Sequence, residues 1–293
     1  MRRPNRIASL LAGGLIAALK VLPAAARRAL ARGMGRFAYA LGIRRQITLE
    51  NLRAAFPQLA ERARRTIARG AFVNMATAVM EGLSSGMLPD HALDAAVVSE
   101  DWAPILTALD AGQGVLVATA HFGSWELFGE VMARQGIKLH AVVRPLRGAL
   151  NDRIVESRRH SGMGFIPPRG AILASVKALR RGEVVAMLID QVLPADRGVF
   201  VPFFGRPACT TPALSMAAMR TGAPVFVAMA AREGDHLRLF VEGPFPVPDS
   251  GDRRRDLVEH TAQVTAALER YIRRYPDQWL WLHRRWKVQP VRS

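Results

Sequence analysis

Short apolar runs alternate with amphipathic stretches through the last two-thirds of the chain, and this restricts the fold more than any other feature. VLVATA (115–120) is an uninterrupted apolar run bounded by Gly114 and His121, the signature of a buried strand. LHAVVR (139–144), Phe165–Pro167, VVAMLID (184–190), PVFVAMA (224–230) and LRLFVE (237–242) repeat it. Between them, SWELFGEVMARQG (124–136) reads as a helix, with Ser124 at its N-cap and Gly136 past its end. Helices are also predicted over 149–160, Ala171–Arg181, Ala213–Arg220 and Asp252–Arg274, and WLWLH (279–283) alternates like a strand. Strands alternating with helices predict an α/β fold whose mostly parallel sheet is flanked by helices. In such sheets chemistry gathers at the carboxyl ends of the strands.

The first third reads differently. A basic amphipathic helix over 24–42 is weakened by Gly33, Gly35 and Gly42; ITLENLRAAF (47–56) is stopped by Pro57; a long helical pattern runs from Glu61 to about Leu83. Residues 1–65 hold fourteen basic and two acidic side chains, twelve of the seventeen net positive charges. A cationic surplus on an Ala-rich, apolar N-terminus points to a surface of anionic lipid, whereas a nucleic-acid binder would carry it on the folded body. Ile7–Leu19 is an uncharged run of thirteen residues. As a helix it rises about 20 Å against a hydrocarbon core of roughly 30 Å. It reads as a membrane anchor, shallow or barely spanning. The rivals are a cleaved signal peptide, with Ala24–Ala26 as its site, and a buried helix. Residues 1–45 are thus expected to form an N-terminal membrane-associated segment, and 46–293 a catalytic domain.

His121 stands where VLVATA gives way to a helix, with Glu126 five positions on. Across a strand–turn–helix, His121-Phe122-Gly123-Ser124 can fold the carboxylate back onto the imidazole, Gly123 permitting the tight turn. A carboxylate on one ring nitrogen fixes the tautomer and leaves the other free to take a proton from a hydroxyl. The alternative is a structural histidine capping a strand. A single cysteine excludes a disulfide framework and any multi-Cys metal cluster. Cys209 has no nearby histidine in sequence. Gly82-Leu83-Ser84-Ser85-Gly86 spells a hydrolase elbow, but it ends a helical stretch where an elbow must follow a strand.

AHFGSWE (120–126) resembles the H-x4-D/E motif of glycerolipid-type acyltransferases, and its surroundings are similar to the lipid A biosynthesis acyltransferase branch, which also holds mycobacterial phosphatidylinositol mannoside acyltransferases. ITLENLRAAFP (47–57), VVRPL (142–146) with Asn151 and Arg158, IDQ (189–191), RGVFVPFFG (197–205) with Thr210 and Thr211, and QWLWLHRRWK (278–287) match that branch in order. The resemblance implies an inner-membrane enzyme whose catalytic domain faces the cytoplasm. It would move a fatty acyl group from acyl carrier protein, or from coenzyme A, to a hydroxyl of a lipid A precursor, with no metal, redox cofactor or nucleic acid. His121 would be the general base, Glu126 would orient and charge-balance it, and Arg158 would face the tetrahedral oxyanion, with Arg144 as second choice.

Other residues are expected to bind substrate. Arg144 and Asn151 belong to the block after the motif. Asp190 and Gln191 end a strand on the active edge, where Asp190 orients the acceptor or a cation or, equally, caps a loop. Arg197-Gly198 and Phe203-Phe204-Gly205 read as a substrate-lining loop or, equally, a hydrophobic plug. Thr210-Thr211-Pro212 is first a helix N-cap signal. Trp279 and Trp281 are expected to pack, while Arg284, Arg285 and Lys287 face lipid phosphate. The remaining alternatives are another glycolipid acceptor, a thioesterase-like hydrolase using the same pair on water, and a basic membrane-binding or nucleic-acid-binding protein.

Overall fold

The structure, a computed structural model, describes residues 19, 22–84, 97–99, 102–143, 162–234 and 236–290. All of the expected anchor Ile7–Leu19 except its last residue, the expected helix over 149–160, and Arg144, Asn151 and Arg158 lie outside the described residues.

Helices α1 (Ala24–Ala40), α2 (Arg45–Ala55) and α3 (Glu61–Ser84) come first. Then follow β1 (Val97–Ser99), α4 (Ala103–Asp110), β2 (Val115–Thr119), α5 (Trp125–Arg134), β3 (Leu139–Val142), β4 (Gly164–Ile166), α6 (Ala171–Leu179) and β5 (Val184–Leu188). A hairpin of β6 (Val199–Phe203) and β7 (Arg206–Thr210) leads to α7 (Ala213–Thr221), β8 (Val225–Glu233), β9 (His236–Glu242), α8 (Arg253–Arg274) and a short 3-10 turn at Pro276–Gln278. Seven strands form one sheet in the order β1-β9-β8-β2-β5-β3-β4, parallel throughout except for the β8–β9 pair. This is the expected mostly parallel sheet flanked by helices. The central strands are covered on both faces, which is why they read as apolar runs without alternation: every residue of β2 is buried.

The register sets up the site. β2 and β5 are parallel neighbours, with Thr119 opposite Leu188. The residues two steps beyond each strand, His121 and Asp190, therefore emerge side by side at the carboxyl edge.

The glycines of α1 do not break it, because one is required. A Cβ on Gly35 would sit 2.6 Å from the Phe72 carbonyl oxygen, so the glycine lets α1 lie directly against α3. Tyr39 packs edge-on to Phe72 within the same contact, their centroids 5.4 Å apart. Among the described residues no helix is long and apolar enough to cross a membrane.

Two segments differ from expectation. RGVFVPFFG is not a loop: its centre is β6, paired antiparallel with β7 through a two-residue turn in which Phe204 and Gly205 both have positive φ (52° and 70°). Phe203 (1% exposed) and Phe204 face the aromatic core against Trp279, Trp281 and Trp286, so this segment is the hydrophobic plug and Phe203 does not line an open substrate surface. Nor is WLWLH a strand. It runs as turns with a single bridge, Phe122 to Trp279, and its alternation reflects Trp279 and Trp281 packing at right angles, 4.6 Å apart.

Candidate active site

His121 leaves β2 into a turn that only glycine can complete. Gly123 has φ +54°, and a Cβ there would lie 1.8 Å from the Ala230 carbonyl oxygen. The turn is pinned on both sides: the Gly123 N–H donates to the Gln278 carbonyl (2.9 Å), the Ser124 N–H to the Ala230 carbonyl (3.1 Å), and the Leu280 N–H to the His121 carbonyl (3.2 Å). Asn74 of α3 adds its amide to the carbonyls of Gly123 (3.3 Å) and Gln278 (3.0 Å). Beneath, Glu81 accepts from the Ser124 hydroxyl and pairs with Arg232 at 2.7 Å.

The carboxylate on the His121 imidazole is that of Asp190. Nδ1 lies 2.9 Å from Asp190 Oδ1, while Oδ2 accepts from the His121 backbone N–H (3.0 Å) and from the Trp279 indole (2.9 Å). Asp190 is buried, whereas 23% of the His121 side chain remains open. Burial alone would push the Asp190 carboxyl up, but the His121 imidazole and the three donors outweigh it and hold the group below the usual carboxylate value. An ionised carboxylate only accepts, so Nδ1 carries a proton, and in the neutral ring Nε2 then presents a lone pair. Gln191 reaches that lone pair with its amide nitrogen at 3.3 Å. Trp125 lies against the ring, 5.5 Å between centroids.

Glu126 opens α5 and accepts from the Trp125 indole at 3.1 Å. Its side chain crosses Gly82, where a Cβ would meet Glu126 Cγ at 3.1 Å. Gly82 thus serves the approach of two helices, and the hydrolase-elbow spelling at 82–86 begins within α3.

The expected substrate-binding residues separate. Gln191 stands at the imidazole. Arg197 is open to solvent beside Asp196, and Arg284 is exposed. Arg285 is fully enclosed (0%), so it does not face lipid phosphate. It donates to the Cys209 carbonyl (2.8 Å) and the Thr210 hydroxyl (2.5 Å) and lies over the Phe203 ring. Burial lowers its pKa to about 10, with Asp190 as a compensating charge, so it remains a cation at neutral pH. Sequence reasoning missed Trp279 and His283 as parts of the site. Their signal lay in the C-terminal string 278–287, whose position against the 121–123 turn requires the tertiary fold. Among the described residues no group of three or more His, Cys, Asp and Glu is placed to hold a metal.

An imidazole tethered by a buried carboxylate at the carboxyl edge of a mostly parallel sheet is an arrangement that can take a proton from a hydroxyl. Residues 1–288 match the family model of the bacterial lipid A biosynthesis acyltransferases, and the chain belongs to that family; it is an acyltransferase. It is 28% identical over 251 residues to the lipid A biosynthesis palmitoleoyltransferase of Escherichia coli K12, covering 85% of this chain and 80% of the relative. To the lauroyltransferase of the same organism it is 29% identical over 266 residues (88% and 84%). A phosphatidylinositol mannoside acyltransferase of Mycolicibacterium smegmatis is 26% identical over 187 residues (61% and 59%).

Proposed function

We propose that this enzyme transfers a fatty acyl chain from the thioester of acyl carrier protein, or of coenzyme A, directly to a hydroxyl of a lipid A precursor. The observation that carries this reading is the His121–Asp190 pair, with Nδ1 fixed on the carboxylate and the side chain partly open to solvent. The acceptor hydroxyl replaces the long Gln191 contact on Nε2 and gives up its proton there. The alkoxide attacks the thioester carbonyl, and the thiolate leaves and recovers the proton from the imidazolium. Asp190 takes the orienting role expected of Glu126, while Glu126 is the second carboxylate, balancing the imidazolium charge. The tetrahedral oxyanion needs a donor, and Arg158 is assigned to it, with Arg144 and Asn151 as further substrate contacts.

Family membership favours the lipid A precursor as acceptor. The mannoside acyltransferase among the relatives supports a second reading in which the acceptor is another phosphorylated glycolipid. Either acceptor resides in a membrane, and the inner membrane, with the site on its cytoplasmic side, is the proposed location. α1 supports a membrane surface: Leu30 (43% exposed), Met34 (52%) and Phe37 (65%), with Leu41 (60%) just beyond, recur at helical spacing on its outer face, and Arg32 and Arg36 are exposed alongside. Such a face suits the headgroup boundary of an anionic bilayer.

The test offers acyl carrier protein loaded with a medium-chain fatty acid, with and without lipid A precursor in vesicles, and reads products by mass spectrometry. Acylated precursor that depends on His121 supports the reading. Release of free fatty acid at the same rate without the precursor makes the protein a hydrolase.

A further inference from the structure

The loop that carries Asp190 and Gln191 does not hold itself. Its next residue, Val192, donates its backbone N–H to Nε2 of His283 at 3.1 Å. His283 belongs to the C-terminal segment that also pins the 121–123 turn through Gln278 and Leu280. That segment is clamped in turn by Asn51 of α2, whose amide donates to the carbonyls of Trp281 (2.8 Å) and His283 (2.7 Å), and by Arg44, which donates to the Leu282 carbonyl at 3.2 Å. One rigid strip therefore touches both halves of the base: it fixes the backbone of His121 on one side and the end of the 190–192 loop on the other.

We propose that His283 is a positioning residue whose neutral imidazole latches the 190–192 loop and so holds Asp190 and Gln191 against His121. The latch requires a lone pair on Nε2, which places the proton on Nδ1. A protonated ring has two donors and nothing with which to accept from Val192, so acid opens the latch. The surroundings favour the closed state at neutral pH. Burial lowers the His283 pKa; Asp190 opposes this, while Arg285, His121 and Arg44 add to it. Transfer then needs two neutral imidazoles, His121 to take the proton and His283 to hold the loop. Below both pKa values the rate falls more steeply than one power of ten per pH unit, over the roughly ten-fold span that the latch controls.

The rate part of the test rests on the acyl-transfer reading; the other part does not. Full-length wild type, His283→Gln and His283→Leu are compared. The glutamine oxygen can accept the Val192 N–H; leucine fills the space without accepting. With loaded acyl carrier protein and lipid A precursor, His283→Leu lowers kcat about ten-fold or more while the donor KM moves less than about three-fold. His283→Gln restores kcat to within about three-fold of wild type, and its acid limb falls with a slope near one where the wild type is steeper than one. Independently, nitrogen NMR without substrate reads His283 Nε2 as unprotonated at neutral pH, and the Val192 amide exchanges about ten-fold faster in His283→Leu than in His283→Gln. Wild-type kcat in His283→Leu, equal slowing in both variants with an unchanged acid limb, or unchanged Val192 exchange overturns the latch. If the wild type acylates no offered acceptor, the proposed function fails, and the latch is judged on Val192 exchange and the ring resonance alone.

Discussion

His121 and His260 both place Nδ1 on a side-chain oxygen, yet they sit in opposite worlds. His121 is at the carboxyl edge of the sheet with a carboxylate on Nδ1, Gln191 at Nε2 and about a quarter of its side chain open. His260 is sealed between α7 and α8: Nδ1 meets the Ser215 hydroxyl at 2.8 Å, Nε2 donates to the Phe245 carbonyl at 3.1 Å, and no part of the residue is exposed. By composition the second pair, a serine beside a histidine, looks more like a nucleophilic couple. It has no carboxylate behind it and no access. Its hydroxyl is tied into a network with Thr261 at 2.9 Å, and its nitrogens are both used in holding two helices and the 245 segment together. Chemistry follows from access and from the charge behind the ring, not from residue type.

The contrast can be broken by substitution. His121→Ala is expected to reduce acyl transfer by about 10²–10⁴-fold with little change in melting temperature, since a quarter-open side chain contributes modestly to packing. His260→Ala is expected to do the reverse. Losing its two hydrogen bonds and leaving a cavity costs about 2–3 kcal/mol, roughly 3–5 °C in a chain of this size, with activity per folded molecule unchanged. Gly123→Ala tests the local backbone behind the first histidine. A Cβ cannot coexist with the Ala230 oxygen at 1.8 Å, so activity falls by about 10²-fold and stability drops with it. Measuring turnover and thermal unfolding on the same three proteins separates these outcomes.

A smaller effect separates the two histidines through pH. Burial lowers the pKa of His260 from its usual 6.5, so the unfolded chain binds the extra proton more readily. Its contribution is complete above pH 6.5 and is lost as pH falls below it, by up to about 1.4 kcal/mol per unit. Asp190, held below its usual 3.8, contributes above that value and loses its contribution only in stronger acid. Urea midpoints between pH 7.5 and 5 should therefore fall in wild type and fall less in His260→Ala. Equal slopes would mean that His260 is not held neutral.

The α/β class, most strand and helix positions and His121 itself were legible, because burial on both faces leaves uninterrupted apolar runs and a strand–turn–helix exposes whatever follows the strand. Asp190 was visible as a strand end on the active edge. Its bond to His121 was not, because that depends on β5 lying next to β2, and strand order is set by how helices cross over the sheet. Arg285 was misread for a related reason. A cation in a basic string looks solvated until the fold places Cys209, Thr210 and Phe203 around it. The β6–β7 hairpin hid behind Pro202 and a turn whose left-handed positions are filled by Phe204 and Gly205 instead of Asn-Gly. The tryptophans of WLWLH imitated the period of a strand while serving an aromatic cluster.

In the proposed mechanism Asp190 holds the His121 imidazole in its working tautomer. Asp190→Asn tests it directly. Two N–H donors at Oδ2 fix the amide oxygen there, so the amide nitrogen faces Nδ1 and selects the tautomer with the proton on Nε2. The kcat–pH profile of this variant is predicted to lie about 10²–10⁴-fold below wild type, with its acid limb moved about one pH unit lower for want of the stabilising charge. A profile that coincides with wild type in height and in acid limb would contradict the account.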